Sequence, residues 1–165
     1  MTIEQVKHIL DTWFLNSEKI VIIGVGNPLR KDDAVGLEVI NRLENNVSEH
    51  VYLINSETIP ENYLEPISDF KPSHILIIDA ALMGLEYGMI KFVNDCTISK
   101  LPFSTHGLPI QIFCTYLIES TKAKIAMLLI QPKDVSFGEG LTSELEEIID
   151  TVISYLLDIP QIAQG

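Results

Sequence analysis

The chain has 165 residues, of which 47% are hydrophobic and 21% are charged, and these proportions exclude an intrinsically disordered protein. Its formal net charge of −12 disfavours nucleic acid and anionic membrane surfaces as partners. We expect a single domain over residues 1–165, in which residues 1–18 form an extra N-terminal helix.

No apolar stretch approaches the roughly 20 residues that a membrane-spanning helix needs, and charged residues interrupt the N-terminal segment. We therefore expect a cytoplasmic protein with no membrane insertion, acting as a monomer. The two cysteines, Cys96 and Cys114, have no CxxC spacing, so a thiolate zinc site and a thioredoxin-type pair are excluded. Both are expected to be reduced and buried.

The periodicity of apolar residues predicts alternating helices and strands along most of the chain. Several of the predicted strands are continuous apolar runs, which is typical of a sheet covered by helices on both faces. The expected fold is therefore α/β, a three-layer α/β/α sandwich with a mostly parallel central sheet. In chain order the elements are a helix over 3–15, strand 19–25, helix 33–43, strand 52–54, helix 61–70, strand 74–80, strand 89–93, helix 108–119, strand 123–130 and helix 142–157.

The last predicted helix starts with the spacing of a capping box. Ser143 precedes Glu146 by three residues, so each side chain has the spacing to bond the other residue's backbone N–H.

The turn Gly24–Gly26 suggests a dinucleotide-binding loop because it follows a strand and opens a helix. Leu29 occupies the position of the third glycine in that motif, and two aspartates stand at the start of the helix. Carboxylates there repel phosphate, so the sequence disfavours a nucleotide site.

Ligands of α/β sheets bind beyond the carboxyl ends of the strands, so the polar residues there are the candidates for chemistry. Each also has a structural interpretation: an aspartate can cap a helix or a turn, and a lone histidine is more often a simple hydrogen-bonding side chain. Taken together, one imidazole and two carboxylates form a donor set that suits nickel or zinc. The candidates are Asp32, Asp33, Asp79 and His106.

Other hydrolase signatures are missing. The nucleophile motif G-x-S-x-G does not occur, since Ser136 lacks the preceding glycine. Neither cysteine has a glycine-rich turn or a nearby helix N-terminus to lower the pKa of its thiol.

Several segments of the chain together resemble the hydrogenase maturation proteases, a family that processes the large subunit of nickel–iron hydrogenases. The likeness covers about residues 19–157. The segments that carry it, in family order, are Ile23–Gly36 (IGVGNPLRKDDAVG), Ile77–Ala80 (IIDA), Ser104–Pro109 (STHGLP), and Ile130–Pro132 (IQP) followed by Phe137–Thr142 (FGEGLT).

The resemblance implies an endopeptidase that removes the C-terminal extension of a hydrogenase large-subunit precursor. It assigns the metal-contacting and catalytic positions to Asp33, Asp79 and His106, and it leaves the role of Asp32 open. The metal is nickel, carried by the substrate and not necessarily present in the resting protease. Asn27 and Gly107 are expected to contact the substrate.

Two other classes of function remain open at this point. A nickel-binding maturation chaperone would use the same three ligands without cutting a peptide bond. A nucleoside phosphorylase or a cysteine peptidase on a similar fold would require a phosphate site or a reactive thiol.

Overall fold

The computed structural model describes residues 1–95, 103–104 and 110–165. Strands and helices alternate over most of this part of the chain, as the sequence predicts, except that β3, β4 and β5 follow one another. The elements are α1 (Ile3–Trp13), β1 (Ile20–Val25), a 3-10 turn (Lys31–Ala34), α2 (Val35–Leu43), β2 (Val51–Glu57), a 3-10 turn (Pro60–Tyr63), α3 (Leu64–Phe70), β3 (His74–Leu82), β4 (Ile90–Val93), β5 (Phe103–Ser104), α4 (Ile110–Thr121), β6 (Lys124–Ile130) and α5 (Ser143–Leu157).

The sheet is mixed but mostly parallel. Its main path runs β2-β1-β3-β6-β4, and the short β5 pairs with the end of β3. The pairs β1–β2, β1–β3 and β3–β6 are parallel, whereas β4 runs antiparallel to β6 and β5 antiparallel to β3. The carboxyl ends of the four parallel strands therefore meet at one edge of the sheet.

Both faces of the sheet are buried, which explains why the strands are continuously apolar. In β3, Leu76 and Ile78 belong to a core that also contains apolar residues of α1, α2 and α5. Their neighbours Ile75 and Ile77 belong to a second core, shared with α3 and α4. Successive side chains of a strand point to opposite faces, so every position needs an apolar residue. The predicted three-layer α/β/α arrangement is confirmed.

Helix α1, the predicted N-terminal helix, packs against β4 of the sheet and against α5. It begins with a capping box, in which Thr2 Oγ1 accepts from Gln5 N (3.2 Å) and Gln5 Oε1 accepts from Thr2 N (2.7 Å). Its apolar stripe, Val6 and Leu10, is fully buried with Phe14 in the core that contains α2 and α5.

Two local predictions at element ends are wrong. Strand β3 does not end at Ala80, as predicted, but continues to Leu82, because Ala81 and Leu82 pair with β5. The N-cap of α5 is Thr142, and its side chain makes no cap hydrogen bond. The expected capping box of Ser143 and Glu146 is therefore not formed; the hydroxyl of Thr142 instead bonds to Asp32.

Among the residues that the structure describes, no helix is long and apolar enough to cross a membrane.

Candidate active site

The 3-10 turn Lys31–Ala34 carries two of the predicted site residues and contacts β3 at the carboxyl edge of the sheet. A glycine allows this close approach. A Cβ atom on Gly36 would lie 2.3 Å from the carbonyl oxygen of Ile78 and 2.9 Å from that of Val25. Only a residue without a side chain lets the first turn of α2 lie against the ends of both β1 and β3.

Asp33 is completely buried in this turn. Its Oδ2 accepts a hydrogen bond from the backbone N–H of Asn27 at 3.0 Å, which closes the loop that follows β1. The alternative role as a helix cap is wrong, because neither the 3-10 turn nor α2 has a side-chain cap hydrogen bond. The turn lies beyond the carboxyl end of β1, at the edge where ligands of such sheets bind, and this position favours a role in chemistry.

Asp79 is also buried, inside β3 and one position beyond Ile78, which is paired with Gly24 of β1. It therefore does not cap a turn after the strand. Because side chains alternate along a strand, Asp79 lies on the same face as Ile77, the face covered by α3 and α4. The structure thus places Asp33 in the turn that follows β1 and Asp79 in the adjacent parallel strand β3, just past its last pair with β1.

His106 and Gly107 lie outside the described residues, so their predicted places in the site stay predictions. The described residues nearest to them in sequence before the gap are Phe103 and Ser104 of β5. Ser104 pairs with Ala81, two residues beyond Asp79. Within residues 1–95, 103–104 and 110–165, no group of three or more histidine, cysteine, aspartate or glutamate side chains is arranged to hold a metal ion.

Asn27 is half-buried and shapes the turn after β1. Its backbone N–H donates to Asp33, and its Oδ1 accepts from the backbone N–H of Leu29 at 2.9 Å. The side chain therefore forms an Asx-type turn beside Asp33. A contact between Asn27 and a substrate stays a prediction.

Asp32 has a structural role that the sequence left open. Its buried carboxylate accepts from the backbone N–H groups of Lys133 (3.0 Å), Asp134 (3.0 Å) and Thr142 (2.8 Å). The hydroxyl of Thr142 donates to the same carboxylate at 2.9 Å. These donors satisfy a buried charge and fasten the segment after β6 to the turn that carries Asp33. The local sequence gives no signal for this, since all the donors are about a hundred residues away.

The segment over residues 131–142, which we call the late loop, is bound to the loop after β1 at further points. Lys31 N donates to Gly138 O (3.1 Å), and Gly138 N donates to Leu29 O (2.9 Å). Arg30 Nε donates to the carbonyl of Val135 at 3.0 Å. The late loop is therefore held along most of its length by the loop that leads into the site.

Charge also holds the late loop in place. Hydrogen bonds from Ser136, together with the Lys31 ammonium 3.0 Å away, lower the pKa of Asp134 to about 2. A carboxylate with a depressed pKa in the folded state stabilises the fold above its unfolded pKa of about 3.8, and this contribution declines as the pH falls from there through the folded pKa of about 2. The contacts of Asp134 therefore persist throughout the neutral and mildly acidic range.

The residue Gln131, at the start of the late loop, holds the loop that follows β3. Its Oε1 accepts from the backbone N–H groups of Met83 (2.7 Å) and Leu85 (3.3 Å). The side chain is buried, and its own amide donates to Pro132 O at 3.2 Å. The IQP segment thus links the loops after β3 and β6.

The cysteine prediction needs correction. Cys114 is buried in α4 and is disulfide-bonded, so it is not a reduced thiol. A disulfide sulfur is not a nucleophilic thiolate, which weakens the cysteine-peptidase alternative. Cys96 lies outside the described residues.

Comparison with known proteins identifies close relatives over most of the chain. The family model described as hydrogenase maturation protease matches residues 37–159. A putative hydrogenase maturation protease of Methanocaldococcus jannaschii is 39% identical, with 82% of this chain and 90% of that protein covered. The hydrogenase 3 maturation protease of Escherichia coli K12 is 29% identical, with coverage of 82% and 87%. The crystal structure of the [NiFe] hydrogenase maturation protease HycI from Thermococcus kodakarensis superposes with a TM-score of 0.85 at 31% identity, covering 92% of this chain and 97% of that one.

Proposed function

This chain belongs to the hydrogenase maturation protease family and is an endopeptidase of hydrogenase maturation; from that premise we propose that it removes the C-terminal extension of a nickel-loaded large-subunit precursor. The observation that carries the proposal is the burial of two carboxylates near one edge of the sheet: Asp33 lies in the turn that follows β1, and Asp79 lies in the adjacent parallel strand β3, just past its last pair with β1. Ligands of open α/β sheets bind at this edge.

In the proposal, Asp33, Asp79 and His106 contact the nickel ion that the precursor carries. Two carboxylates and one imidazole form a nitrogen and oxygen donor set that suits a divalent metal of this type. The pairing of Ser104 with Ala81 supports the inclusion of His106. His106 follows Ser104 by two residues, and two residues of extended chain span at most about 7 Å. We also propose that Asn27, whose backbone N–H donates to Asp33, and Gly107, which follows His106 in the sequence, contact the substrate backbone.

Recognition of nickel gives the protease a physical check on its substrate. Without the ion, the precursor offers the two buried carboxylates no positive charge to bind. With the ion in place, the attraction between the metal and the carboxylates becomes docking energy. The protease therefore cuts only a precursor whose active-site metal has already been inserted.

The chemical step is hydrolysis of one peptide bond. A water oxygen attacks the carbonyl carbon, the C–N bond breaks, and the water proton ends on the leaving amine. Either a carboxylate of Asp33 or Asp79 accepts that proton as general base, or the substrate nickel polarises the carbonyl as a Lewis acid. Both routes need the scissile bond held beside the same two carboxylates.

The test is a mass-spectrometric cleavage assay with purified precursor, nickel-loaded in one tube and nickel-free in the other. We expect a short C-terminal peptide to be released only with nickel. Release in both tubes would support the peptidase activity but contradict its dependence on nickel. Nickel-dependent binding without release, with every cognate precursor, would instead favour a nickel-binding chaperone.

The proposal also includes a cytoplasmic location and a monomeric protease that forms a one-to-one complex with its precursor. Cell fractionation tests the first, and size-exclusion chromatography with light scattering tests the second. A dimer at micromolar concentration would contradict the monomer.

A further inference from the structure

We infer that Phe137 and Leu29 form an apolar docking surface for the hydrogenase large-subunit precursor, beside the site where the peptide bond is cut. The inference rests on the proposed function and extends it to a specific pair of recognition residues. Phe137 is 83% exposed, the largest exposed fraction of any large apolar side chain among the described residues, and Leu29 is 48% exposed.

The backbone brings these two residues together. Phe137 precedes Gly138, and Leu29 precedes Arg30; Arg30 and Gly138 form a parallel bridge. Leu29 O accepts from Gly138 N at 2.9 Å, and Gly138 O accepts from Lys31 N at 3.1 Å. The two apolar side chains therefore project from adjacent backbone segments and not from separate regions of the surface.

The loop that carries Phe137 is firmly held. The buried carboxylate of Asp32 bonds to Lys133, Asp134 and Thr142 on both sides of Phe137. An exposed aromatic ring on a braced loop has little backbone entropy to lose when a partner covers it. Phenylalanine is among the aromatic residues enriched at protein interfaces, whereas an almost fully solvated ring buries little area and so adds little to the stability of the fold.

The position of this surface indicates that its partner is the precursor. Leu29 stands four residues before Asp33, in the loop that Asn27 and Asp33 close with a 3.0 Å hydrogen bond. The surface is therefore continuous with the edge at which the precursor must lie during cleavage. An apolar segment of the precursor that covers Phe137 and Leu29 would place the chain across the carboxyl ends of β1 and β3.

Substitution and kinetics with the full-length protein test the inference. Phe137→Ala and Leu29→Ala are compared with wild type for cleavage of the nickel-loaded precursor and for binding to it. Leu15→Ala is the matched control, since Leu15 is 58% exposed but precedes β1 and so lies at the opposite edge of the sheet. Because Phe137 is almost fully exposed, the melting temperature of Phe137→Ala should match that of wild type.

We expect Phe137→Ala to raise KM about tenfold and Leu29→Ala about threefold, with kcat at saturating precursor retained and Leu15→Ala unchanged. If Phe137→Ala has the same KM as the wild type, the proposed docking surface is wrong, whereas the proposed function is unaffected. If wild type cleaves no precursor but binds it, and Phe137→Ala weakens that binding, the surface stands and the proposed cleavage falls. Absence of binding by wild type, or a wild-type dimer that Phe137→Ala dissociates, would overturn the surface as a precursor site.

Discussion

The carboxylate of Asp32 accepts hydrogen bonds from both the backbone N–H and the hydroxyl of Thr142, at 2.8 and 2.9 Å, across 110 residues of sequence. Thr142 is the N-cap of α5, yet its hydroxyl serves Asp32 and not its own helix. The relationship assigns different roles to two adjacent acids: Asp32 fastens the late loop, and Asp33 lies at the edge of the sheet as the candidate for chemistry.

Replacing Asp32 by asparagine should destabilise the fold. The NH2 group of asparagine would face backbone N–H donors that bond to a carboxylate in the wild type. At least one buried donor would therefore have no acceptor. We expect a loss of about 2–4 kcal/mol in the free energy of unfolding, measured by urea denaturation. Thr142→Val, which removes only the hydroxyl bond, should cost about 1 kcal/mol. The exposed Asp69→Asn is the control; an Asp32→Asn protein as stable as that control would contradict the role of Asp32.

Replacing Asp33 or Asp79 by asparagine should abolish precursor cleavage without unfolding the protein. For Asp33, the oxygen of asparagine can still accept from Asn27 N, so the loop after β1 stays closed. The charge that attracts a metal ion is lost in both variants, and we expect cleavage to fall by at least about a thousandfold. The assay is precursor processing, with circular dichroism to verify the fold. Wild-type cleavage by either folded variant would remove that residue from the site.

Replacing His106 by alanine should likewise abolish processing. The imidazole is the proposed nitrogen ligand, and neither carboxylate can replace it. The measurement pairs the cleavage assay with nickel-dependent binding of the precursor, which should weaken in the same variant. His50→Ala, an exposed histidine elsewhere in the chain, provides the control. Parent-rate cleavage by His106→Ala would show that the ligand assignment is wrong.

Replacing Gly36 by alanine should be far more damaging than replacing Gly84. A Cβ on Gly36 would overlap the carbonyl oxygen of Ile78, whereas a Cβ on Gly84 meets no atom within 4 Å. We expect Gly36→Ala to cost about 3 kcal/mol or more, because α2 must move away from the sheet. Gly84→Ala should cost about 1 kcal/mol, from its left-handed backbone alone. Thermal unfolding of the two variants measures the difference, and equal losses would argue against the close approach of α2.

The buried His74 should make stability decline on mild acidification. Burial lowers the pKa of His74 below 6.5, and the charge of Lys124 lowers it further. Since the unfolded chain binds the proton more tightly than the folded protein, stability is full above about pH 6.5 and falls as the pH drops from there to the folded pKa. His74→Gln should flatten the dependence of the melting temperature on pH between 7 and 5, whereas His50→Gln should leave it unchanged. An unaltered slope in His74→Gln would assign the acid sensitivity to other groups.

The sequence predicted most of the architecture because apolar runs report burial directly, and every residue of β1 is buried. Its predictions fail where a distant part of the chain decides the outcome. The continuation of β3 beyond Asp79 depends on pairing with β5, and the cap of α5 depends on Asp32. The positions of Asp33 and Asp79 were predictable because the carboxyl ends of adjacent parallel strands must meet. No local pattern could show which of two neighbouring aspartates bonds to residues 133–142.

The long sequence separation of the Asp32 bonds has a consequence for biosynthesis. Every donor to its carboxylate lies in residues 133–142, so a nascent chain that has emerged only as far as β6 offers Asp32 no partner but water. The bonds that fasten the turn carrying Asp33 to the late loop can form only when the last fifth of the protein has left the ribosome. If Asp33 acts in cleavage as proposed, the turn that carries it is therefore among the last parts of the growing chain to be braced.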